Sequence, residues 1–399
     1  MKKLTIKDVD LKSKRLLMRV DFNVPLDENQ NITDDRRIQA SLPTIQYAVN
    51  QGARVILMSH LGRPKGKVVP SMSLQPVARR LGELLGKEVK FAPDCVGPEV
   101  ERLAMGLKDG DVLLLENVRF HKEETENDPE FSKQLAKLGE IYANDAFGSA
   151  HRAHASTIGV THYFTKCVSG FLMEKELTYL GEALTSPKRP FVALLGGAKV
   201  GDKIPVIENL LKKVDRLLIG GGMAYTFLKA QGKEIGKSLL DEENIDFAKR
   251  ILKESFNKIL LPVDCLVSDE FDFGTRHVGK TEIVPVDQIP SEWVALDIGS
   301  QTIDAFSKAC KEAKTIVWNG PMGVFEIDVT ARGTFAIANL LADLTEKGAI
   351  TVIGGGDSAS AVKKAGVADK MSHVSTGGGA SLEFLQGKEL PGVAALTDA

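Results

Sequence analysis

The feature that most constrains this chain is a regular alternation of short apolar runs with longer amphipathic stretches. The apolar runs are rich in Val, Ile and Leu, and they are Arg15–Val20, Arg54–Met58, Val112–Leu115, Ile141–Ala143, Phe191–Leu195, Arg216–Ile219, Ile259–Val263, Thr315–Trp318 and Ile350–Ile353. The stretches with helical periodicity are Ile38–Asn50, Leu74–Leu85, Asp241–Phe256, Gln301–Lys311 and Arg332–Thr345. Apolar strands separated by helices are typical of parallel sheets covered on both faces. We therefore predict an α/β fold with doubly wound sheets.

The length and the loops indicate two such domains. A chain of 399 residues is too long for one ordinary core. First-half strands run into charged loops, whereas most second-half strands run into glycines, and a helical stretch at Phe171–Ser186 lies between them, followed by Pro187 and Pro190. We predict two Rossmann-like domains separated by a cleft. Residues 1–170 form the first domain, 171–186 a hinge helix and 187–389 the second domain.

Composition excludes several classes of protein. The 51 Lys and Arg residues balance 53 Asp and Glu residues, which argues against a nucleic-acid partner. The N-terminal MKKLTIKDVD has no apolar segment behind it, and no run of about 18 apolar residues exists, so we expect no secretory signal and no membrane span. We expect a cytoplasmic protein. The four cysteines form no CxxC pair and are interpreted as small buried residues in a reducing compartment: Cys95, Cys167, Cys265 and Cys310.

Cationic and polar side chains follow the first-half strands. Ligands of open parallel sheets bind beyond the carboxyl ends of the strands. The side chains predicted there are Asp21, Asn23, Arg37, His60, Arg63, Arg119 and Arg152. Each arginine alone is more simply a solvated side chain, but several on one edge suit a small polyanion, since guanidinium pairs with phosphate through two hydrogen bonds. His151 and His154 lack a further metal ligand, so phosphate contact or a surface position is favoured over metal binding.

Glycines follow the second-half strands. They occur in Gly196–Lys199, Gly220–Gly222, Asn319–Pro321 and Gly354–Ser358. Glycine after a strand lets backbone N–H groups approach a phosphate, and the next helix offers its positive end. Asp357 suits a Mg²⁺ ligand, a helix N-cap, or both. For Gly220–Gly222, a tight turn packed on the sheet is an equally good interpretation.

Two local motifs suggest other nucleotide folds and are rejected or weak. Gly236–Ser238 resembles the end of a P-loop, but Gln231 stands where that motif needs glycine and no strand precedes it. Gly354–Ala359 fits the dinucleotide pattern G-x-G-x-x-A without the acidic residue expected about 20 positions later. A phosphorylated metabolite on one domain and a nucleotide on the other is the simplest interpretation. Phosphoryl transfer needs positioning and charge neutralisation, which these residue types supply.

The ordered motifs resemble those of the phosphoglycerate kinase family. They run from the first strand to the C-terminal region, and are Arg19–Pro25, Ser59–Pro64, Leu115–His121, Asn144–Ser156, Leu195–Val200, Trp318–Glu326, Gly354–Ser358 and Ser372–Ser381. The resemblance implies reversible transfer from 1,3-bisphosphoglycerate to ADP, giving 3-phosphoglycerate and ATP, with Mg²⁺, in glycolysis and gluconeogenesis. It also implies a two-lobed monomer whose tail, residues 390–399, returns to the first domain.

The resemblance also implies which residues bind each substrate. It places 3-phosphoglycerate on Asp21, Asn23, Arg37, His60, Arg63, Arg119 and Arg152. Arg37 is assigned rather than Arg36 because it directly precedes Ile38. It places the nucleotide on Gly197, Lys199, Lys203, Gly220, Gly221, Asn319, Pro321, Glu326, Gly354, Gly355, Gly356, Asp357 and Ser358, with Asp357 on the metal and Glu326 on the ribose. Ser149 and Ser358 stand where many members have Thr, and both keep the hydroxyl.

For catalysis we expect Lys199 to travel with the transferred group while Arg37 and Lys203 neutralise it. Gly355 and Gly356 would donate backbone N–H groups. Two alternatives stay open on the residues alone. A NAD-dependent dehydrogenase would leave the arginines unexplained, and a non-enzymatic nucleotide sensor predicts a broken motif, which the sequence does not have.

Overall fold

The computed structural model describes residues 2–399, and Met1, the first residue of the predicted N-terminal domain, lies outside them. The chain divides into two compact units. The first unit runs to Thr178 and includes Glu389–Ala399, and the second is Tyr179–Lys388. The division therefore falls inside the helix that sequence analysis assigns to the hinge, and the hinge itself stays a prediction.

A six-stranded parallel sheet organises the first unit. Its strands are β1 (Arg15–Arg19), β2 (Arg54–Met58), β3 (Val89–Phe91), β4 (Val112–Leu114), β5 (Ile141–Asn144) and β6 (Cys167–Ser169), in the order β3-β4-β2-β1-β5-β6. The helices are α1 (Arg36–Asn50), α2 (Gln75–Leu85), α3 (Pro98–Met105), α4 (Lys122–Glu126), α5 (Pro129–Ala136) and α6 (Phe171–Thr185). Both faces of β1 are buried, which explains its continuous apolar sequence.

The direction of winding reverses beside β1. The chain moves outward from β1 through β2, and it later returns to β5 on the other side of β1. Arg19 at the end of β1 is in register with Asn144 at the end of β5. Such a reversal leaves a crevice at the carboxyl ends of the two strands, where doubly wound folds bind ligands.

The second unit contains a second six-stranded parallel sheet and an antiparallel addition. Its strands are β7 (Phe191–Leu195), β8 (Arg216–Ile219), β9 (Ile259–Leu260), β10 (Asp264–Ser268), β11 (Phe271–Asp272), β12 (His277–Val278), β13 (Thr281–Pro285), β14 (Val294–Ile298), β15 (Thr315–Asn319), β16 (Ile350–Gly354) and β17 (His373–Val374). The parallel sheet has the order β17-β16-β15-β7-β8-β9, β10 lies between β13 and β14, and β11 pairs with β12. Its helices are α7 (Ile204–Leu211), α8 (Met223–Ala230), α9 (Ile245–Glu254), α10 (Ser300–Cys310), α11 (Arg332–Glu346), α12 (Gly356–Lys364) and α13 (Gly379–Leu385), whereas α14 (Pro391–Ala394) belongs to the first unit.

Winding in this sheet reverses between β7 and β15. The chain passes from β7 to β8 and β9 on one side, then from β15 to β16 and β17 on the other. Leu195 and Asn319 are in register at the two strand ends. The loops after β7 and β15 therefore begin side by side, and both are glycine-bearing loops.

The C-terminal residues belong to the first unit. Leu4 N–H donates to Thr397 O at 2.9 Å, and Gly392 N–H donates to Ala150 O at 2.7 Å. The buried Lys3 ammonium forms an ion pair with Asp398 at 2.7 Å. The segment that carries α14 is thus attached to the N-terminal residues and to the turn after β5.

The predicted α/β class with two parallel sheets is confirmed, and several details differ. Strand Ile259–Val263 is only Ile259–Leu260, because Pro262 cannot donate to a ladder. The predicted helix Asp241–Phe256 begins with a 3₁₀ turn before α9. The antiparallel strands β10 to β14 were not predicted, partly because β13 is mostly exposed and lacks a strong apolar pattern. None of the helices in residues 2–399 is long and apolar enough to span a membrane.

Candidate functional site

A buried arginine lies at the centre of the first unit's strand ends. Arg19 is fully buried, and its Nε donates to Ser156 Oγ at 2.7 Å. A second guanidinium nitrogen, Nη2, lies 3.1 Å from Nδ1 of the buried His60. Burial, and then the charges of Arg19, Arg119, Arg152 and Arg37, hold the pKa of His60 well below its usual range. We call these four arginines and His60 the arginine cluster.

Arg119 is the least satisfied member of the cluster. It lies in the 3₁₀ turn Val118–Phe120 after β4, and only 6% of its surface is exposed. Nη1 donates to Gly62 O at 3.0 Å, whereas Nε and Nη2 are buried and have no hydrogen-bond partner within residues 2–399. Burial, followed by the charges of Arg19 and Arg152, lowers the pKa of Arg119 to about 10. Two buried charged donors without acceptors are costly unless a ligand supplies the acceptors.

Asp21 and Asn23 order the opposite side of the cluster. Arg37 Nη1 donates to Asp21 Oδ1 at 2.9 Å, and Asp21 is 7% exposed. Asn23 Oδ1 accepts from Gly62 N–H at 2.9 Å. The loops after β1 and β2 are therefore joined to each other and to the start of α1.

The other two predicted arginines differ in placement. Arg152 is half-buried, and its charge lowers the pKa of His60 and of Arg119, which places it with the cluster. Arg63 is exposed, and no hydrogen bond or ion pair among residues 2–399 involves its side chain. The structure therefore brings Arg37, Arg119 and Arg152 together with His60, and leaves Arg63 at the edge.

A buried carboxylate, which sequence analysis missed, lies next to the cluster. Glu124 is fully buried, and its oxygens accept from Ser156 Oγ at 2.6 Å and Ser156 N–H at 2.9 Å. Because Ser156 Oγ also accepts from Arg19, the serine links Arg19 to Glu124. Arg19 was missed as well, although an arginine ending an otherwise apolar strand was a usable signal.

In the second unit, the loops at the strand ends contain glycines whose backbones pack closely together. Gly221 has a φ of +66°, and a Cβ there would lie 2.7 Å from Gly197 N. Gly197 N–H donates to Pro321 O at 3.1 Å, and Gly221 N–H donates to Met322 O at 3.0 Å. The loops after β7, β8 and β15 therefore pack backbone against backbone, which a side chain would prevent.

A polar network joins β15 to the start of α12. Asn319 Nδ2 donates to Gly354 O at 2.8 Å, and Gly320 N–H donates to Ser358 Oγ at 2.6 Å. The Lys203 ammonium donates to Asn319 Oδ1. Burial lowers the pKa of Lys203 to about 8, and the charges of Asp357 and Asp202 oppose this shift. Lys203 is thus a half-buried cation beside the helix N-terminus.

These loops border a cavity of about 710 Å³. Its lining includes five residues that sequence analysis assigned to the nucleotide: Gly197, Gly221, Pro321, Glu326 and Asp357. Tyr225 of α8, with Phe271 and Phe273 at the β11–β12 ribbon, adds an aromatic wall that sequence analysis missed; the ribbon itself was not predicted. Gly355 and Gly356 stand where α12 begins. Lys199 is exposed, and no hydrogen bond or ion pair among residues 2–399 involves its amine.

Asp357 is suited to a magnesium ion shared with phosphates. Its carboxylate is exposed, lies in the first turn of α12 and lines the cavity. Mg²⁺ in proteins is held by one or two carboxylates together with substrate phosphate oxygens. Free N–H groups at the start of α12 are placed for such phosphates. The donor types present therefore fit the ion.

A doubly wound unit with an arginine cluster, and a second with a glycine-lined cavity, define a phosphotransferase that acts on small molecules. The family model described as phosphoglycerate kinase matches residues 6–388. The chain therefore belongs to the phosphoglycerate kinase family. Membership makes it a kinase of the glycolytic pathway with a carboxyl group as acceptor, so the dehydrogenase alternative is wrong.

Named relatives and solved structures agree over the full length. The phosphoglycerate kinase of Chloroherpeton thalassium is 59% identical, and the match covers 100% of both chains. The cytosolic phosphoglycerate kinase of Triticum aestivum is 57% identical over 99% of this chain and 98% of its own. The structure of the Coxiella burnetii phosphoglycerate kinase aligns with a TM-score of 0.89 at 43% identity, covering 98% of each chain.

Proposed function

We propose that the chain transfers a phosphoryl group reversibly from 1,3-bisphosphoglycerate to ADP, giving 3-phosphoglycerate and ATP. The acyl-phosphate bond breaks and the β-phosphate oxygen of ADP gains the group, so no other reactant is needed. The acid would bind to the first unit and the nucleotide to the second. Family membership supports the reaction, and the contacts below support the division of labour.

One observation carries the assignment of the acid to the first unit. Arg119 holds two buried N–H donors without acceptors, beside Arg19 and Arg152, which repel it. A phosphate or carboxylate would accept these hydrogen bonds and neutralise the repulsion at once. Asp21, Asn23, Arg37, His60 and Arg63 complete the proposed 3-phosphoglycerate site.

The cavity of the second unit supports the nucleotide assignment. Its size falls in the range of small-molecule pockets. The aromatic wall of Tyr225, Phe271 and Phe273 suits the base, and Glu326 suits the ribose hydroxyls. The start of α12, with Gly354–Ser358, would hold the phosphates. Asp357 would hold Mg²⁺, which supplies charge neutralisation between the phosphate groups when bound.

Charge neutralisation is the main task of the side chains. Lys203, whose pKa is about 8, still carries its proton in most molecules at neutral pH, and bound phosphates would favour the charged form. We propose that Arg37 and Lys203 neutralise the transferring group, that Lys199 moves with it, and that Gly355 and Gly356 donate N–H groups. The exposed position of Lys199 leaves it free to follow the group.

Transfer also requires the two substrates to meet and water to be excluded, because water would hydrolyse the acyl phosphate. We propose that the units close on each other by bending near α6 when both substrates bind. The enzyme would act as a monomer in the cytosol, where its wheat relative is named as cytosolic. Small-angle scattering tests closure, and an unchanged radius of gyration with both substrates would contradict it.

A coupled assay tests the function itself. Purified chain should form ATP from ADP and enzymatically generated 1,3-bisphosphoglycerate only when Mg²⁺ is present. A Lys203→Met variant is the matched control, since it removes this half-buried cation while keeping a similar side-chain length. Absence of ATP formation by the folded wild-type chain would overturn the proposal.

A further inference from the structure

Three potential metal ligands lie together in the first unit and have no part in the proposed transfer. Asp94 and Cys95 follow β3, and His121 follows the turn that carries Arg119. One ligand atom from each, a carboxylate oxygen, the sulfur and a ring nitrogen, lie within 4.8 Å of one another. Within residues 2–399 this is the one such group of three.

The trio is organised around Asp94. Asp94 Oδ1 accepts from His121 Nε2 at 2.7 Å and from Cys95 N–H at 2.7 Å. Cys95 is fully buried, whereas the side chains of Asp94 and His121 are 47% and 29% exposed. The sulfur therefore lies on the protein side, and the carboxylate and imidazole lie on the solvent side. An ion would enter from solvent past these two groups.

The chemistry of the trio favours a thiophilic ion. Mg²⁺ prefers oxygen ligands, whereas sulfur and imidazole with one carboxylate suit Zn²⁺ and its neighbours. Bonds of about 2.0–2.3 Å to a tetrahedral ion put ligand atoms roughly 3.3–3.7 Å apart, so small side-chain rotations are enough. We propose that Asp94, Cys95 and His121 bind Zn²⁺ or a similar thiophilic divalent cation, with water in the fourth position.

The fold and the hydrogen bonds to Asp94 already hold the three residues in place without an ion, so we expect binding to be reversible rather than structural. Burial, and then the charges of Asp94 and Glu124, hold the pKa of the Cys95 thiol well above its usual range. Binding releases the thiol proton of Cys95 to solvent, and it moves the N–H proton of a neutral His121 from Nε2 to Nδ1, or releases one proton from a protonated ring. This cost lowers the affinity relative to a preformed thiolate site. A chelator should therefore remove the ion without unfolding the chain.

The site is connected to the arginine cluster by backbone. Glu116 N–H donates to Asp94 O at 3.4 Å, and His121 N–H donates to Val118 O at 3.3 Å. Arg119 lies between these two hydrogen-bonded positions. Because the His121 backbone is bonded to this turn, we expect rotation of the His121 side chain towards Cys95 to shift the turn that positions Arg119 slightly. We therefore expect Zn²⁺ to raise the KM for phosphoglycerate more than the KM for the nucleotide. This expectation rests on the proposed function.

Cadmium titration tests the site without any need for activity. The full chain, reduced with a phosphine and freed of metal, should show a thiolate-to-Cd²⁺ absorption band that saturates at one ion per chain. Cys95→Ser should abolish the band, and Cys167→Ser, which changes the other cysteine of this unit, should keep it. His121→Gln, at a partly exposed position, should weaken binding at least tenfold. A missing band, or one retained by Cys95→Ser or unaltered by His121→Gln, overturns the site.

Kinetics then test the connection to Arg119. Zn²⁺ should raise the phosphoglycerate KM severalfold in wild type and in Cys167→Ser, and leave it unchanged in Cys95→Ser. Equal inhibition of wild type and Cys95→Ser would overturn the connection, since the ion would then act elsewhere. Because the absorption band needs no turnover, failure of the proposed kinase activity would be seen separately from failure of the metal site.

Discussion

In the first unit, positive potential at the strand ends comes from arginine side chains, whereas in the second it comes largely from backbone N–H groups around glycines. Arg19 and Arg119 are buried, and burial, followed by repulsion from Arg19 and Arg152, lowers the pKa of Arg119 to about 10. In the second unit, Gly197 and Gly221 hold positive φ angles where the loops pack together. Lys203 adds a half-buried cation to that region.

This difference predicts opposite responses to mutation. Repulsion among the arginines is only partly offset by Asp21 and Glu124, so removing a charge should stabilise the empty protein while weakening binding of an anion. A glycine turn uses a backbone conformation that other residues adopt only with strain. Adding a side chain there should therefore lower both the stability and the affinity for the ligand. The following variants test that contrast, beginning with the largest expected effect.

Arg37→Ala should lower kcat by about 10²–10³-fold, since one cation that neutralises the transferring group is lost. KM for phosphoglycerate should change far less. The adjacent Arg36 is the matched control, because its exposed side chain pairs with Asp34 instead. Steady-state kinetics decide, and near-normal turnover of Arg37→Ala, or an equal loss in Arg36→Ala, would remove Arg37 from this role.

Gly221→Ala should raise the nucleotide KM roughly tenfold or more and cost about 1–3 kcal/mol of unfolding free energy. Both follow from the φ of +66° and from a Cβ 2.7 Å from Gly197 N. Gly86→Ala is the control, since Gly86 has a similar φ of +63° but nothing lies within 4 Å of a Cβ there. Nucleotide titration and urea denaturation measure the two quantities. Unaltered nucleotide affinity would show that the backbone packing is dispensable.

Arg119→Met should increase the free energy of unfolding of the empty protein by about 1–3 kcal/mol, because it removes a buried charge with two unpartnered donors. Phosphoglycerate affinity should fall at the same time. Arg54→Met, at a surface ion pair with Asp109, should change stability by no more than about 0.5 kcal/mol. Denaturation with and without 3-phosphoglycerate separates the effects. A destabilised Arg119→Met would contradict the contrast between the units.

Much of this contrast was predictable from sequence because strand ends are predictable. Phe191–Leu195 and Arg216–Ile219 were predicted with their observed bounds, since continuous apolar runs leave little choice. Once the strands are placed, the parallel topology brings Asp21, His60 and Arg119 to one edge. Parallel topology likewise brings the glycine-bearing loops to one edge of the second sheet.

The remainder depends on contacts between residues far apart in the chain. The burial of Arg19, the Ser156 link to Glu124 and the trio of Asp94, Cys95 and His121 all require the tertiary fold. Cys95 was interpreted as a plain buried residue because no second cysteine stands near it in sequence. The aromatic wall was missed because a two-residue strand such as β11 has no readable period.

The smallest predicted effect compares one buried aspartate from each unit. Asp145 Oδ1 accepts from Leu172 N–H at 2.9 Å and Met173 N–H at 3.1 Å, at the start of α6. Burial raises its pKa to about 6, above the ordinary 3.8. Because the folded chain then holds the proton more tightly than the unfolded chain, this contribution to stability is complete below about pH 4 and is lost as the pH rises through about 6.

Asp145→Asn keeps an accepting oxygen and cannot ionise, so its unfolding free energy should fall less than that of wild type between pH 5 and pH 8, by about 1–2 kcal/mol. Asp297 is the counterpart in the second unit, where burial raises the pKa to about 7 and Gly333 N–H donates at 2.7 Å. The unfolding free energy of Asp297→Asn should also fall less than that of wild type, but over a higher pH range. Urea denaturation at closely spaced pH values measures both, and parallel curves for wild type and Asp145→Asn would mean that Asp145 is already ionised in the folded chain at pH 5.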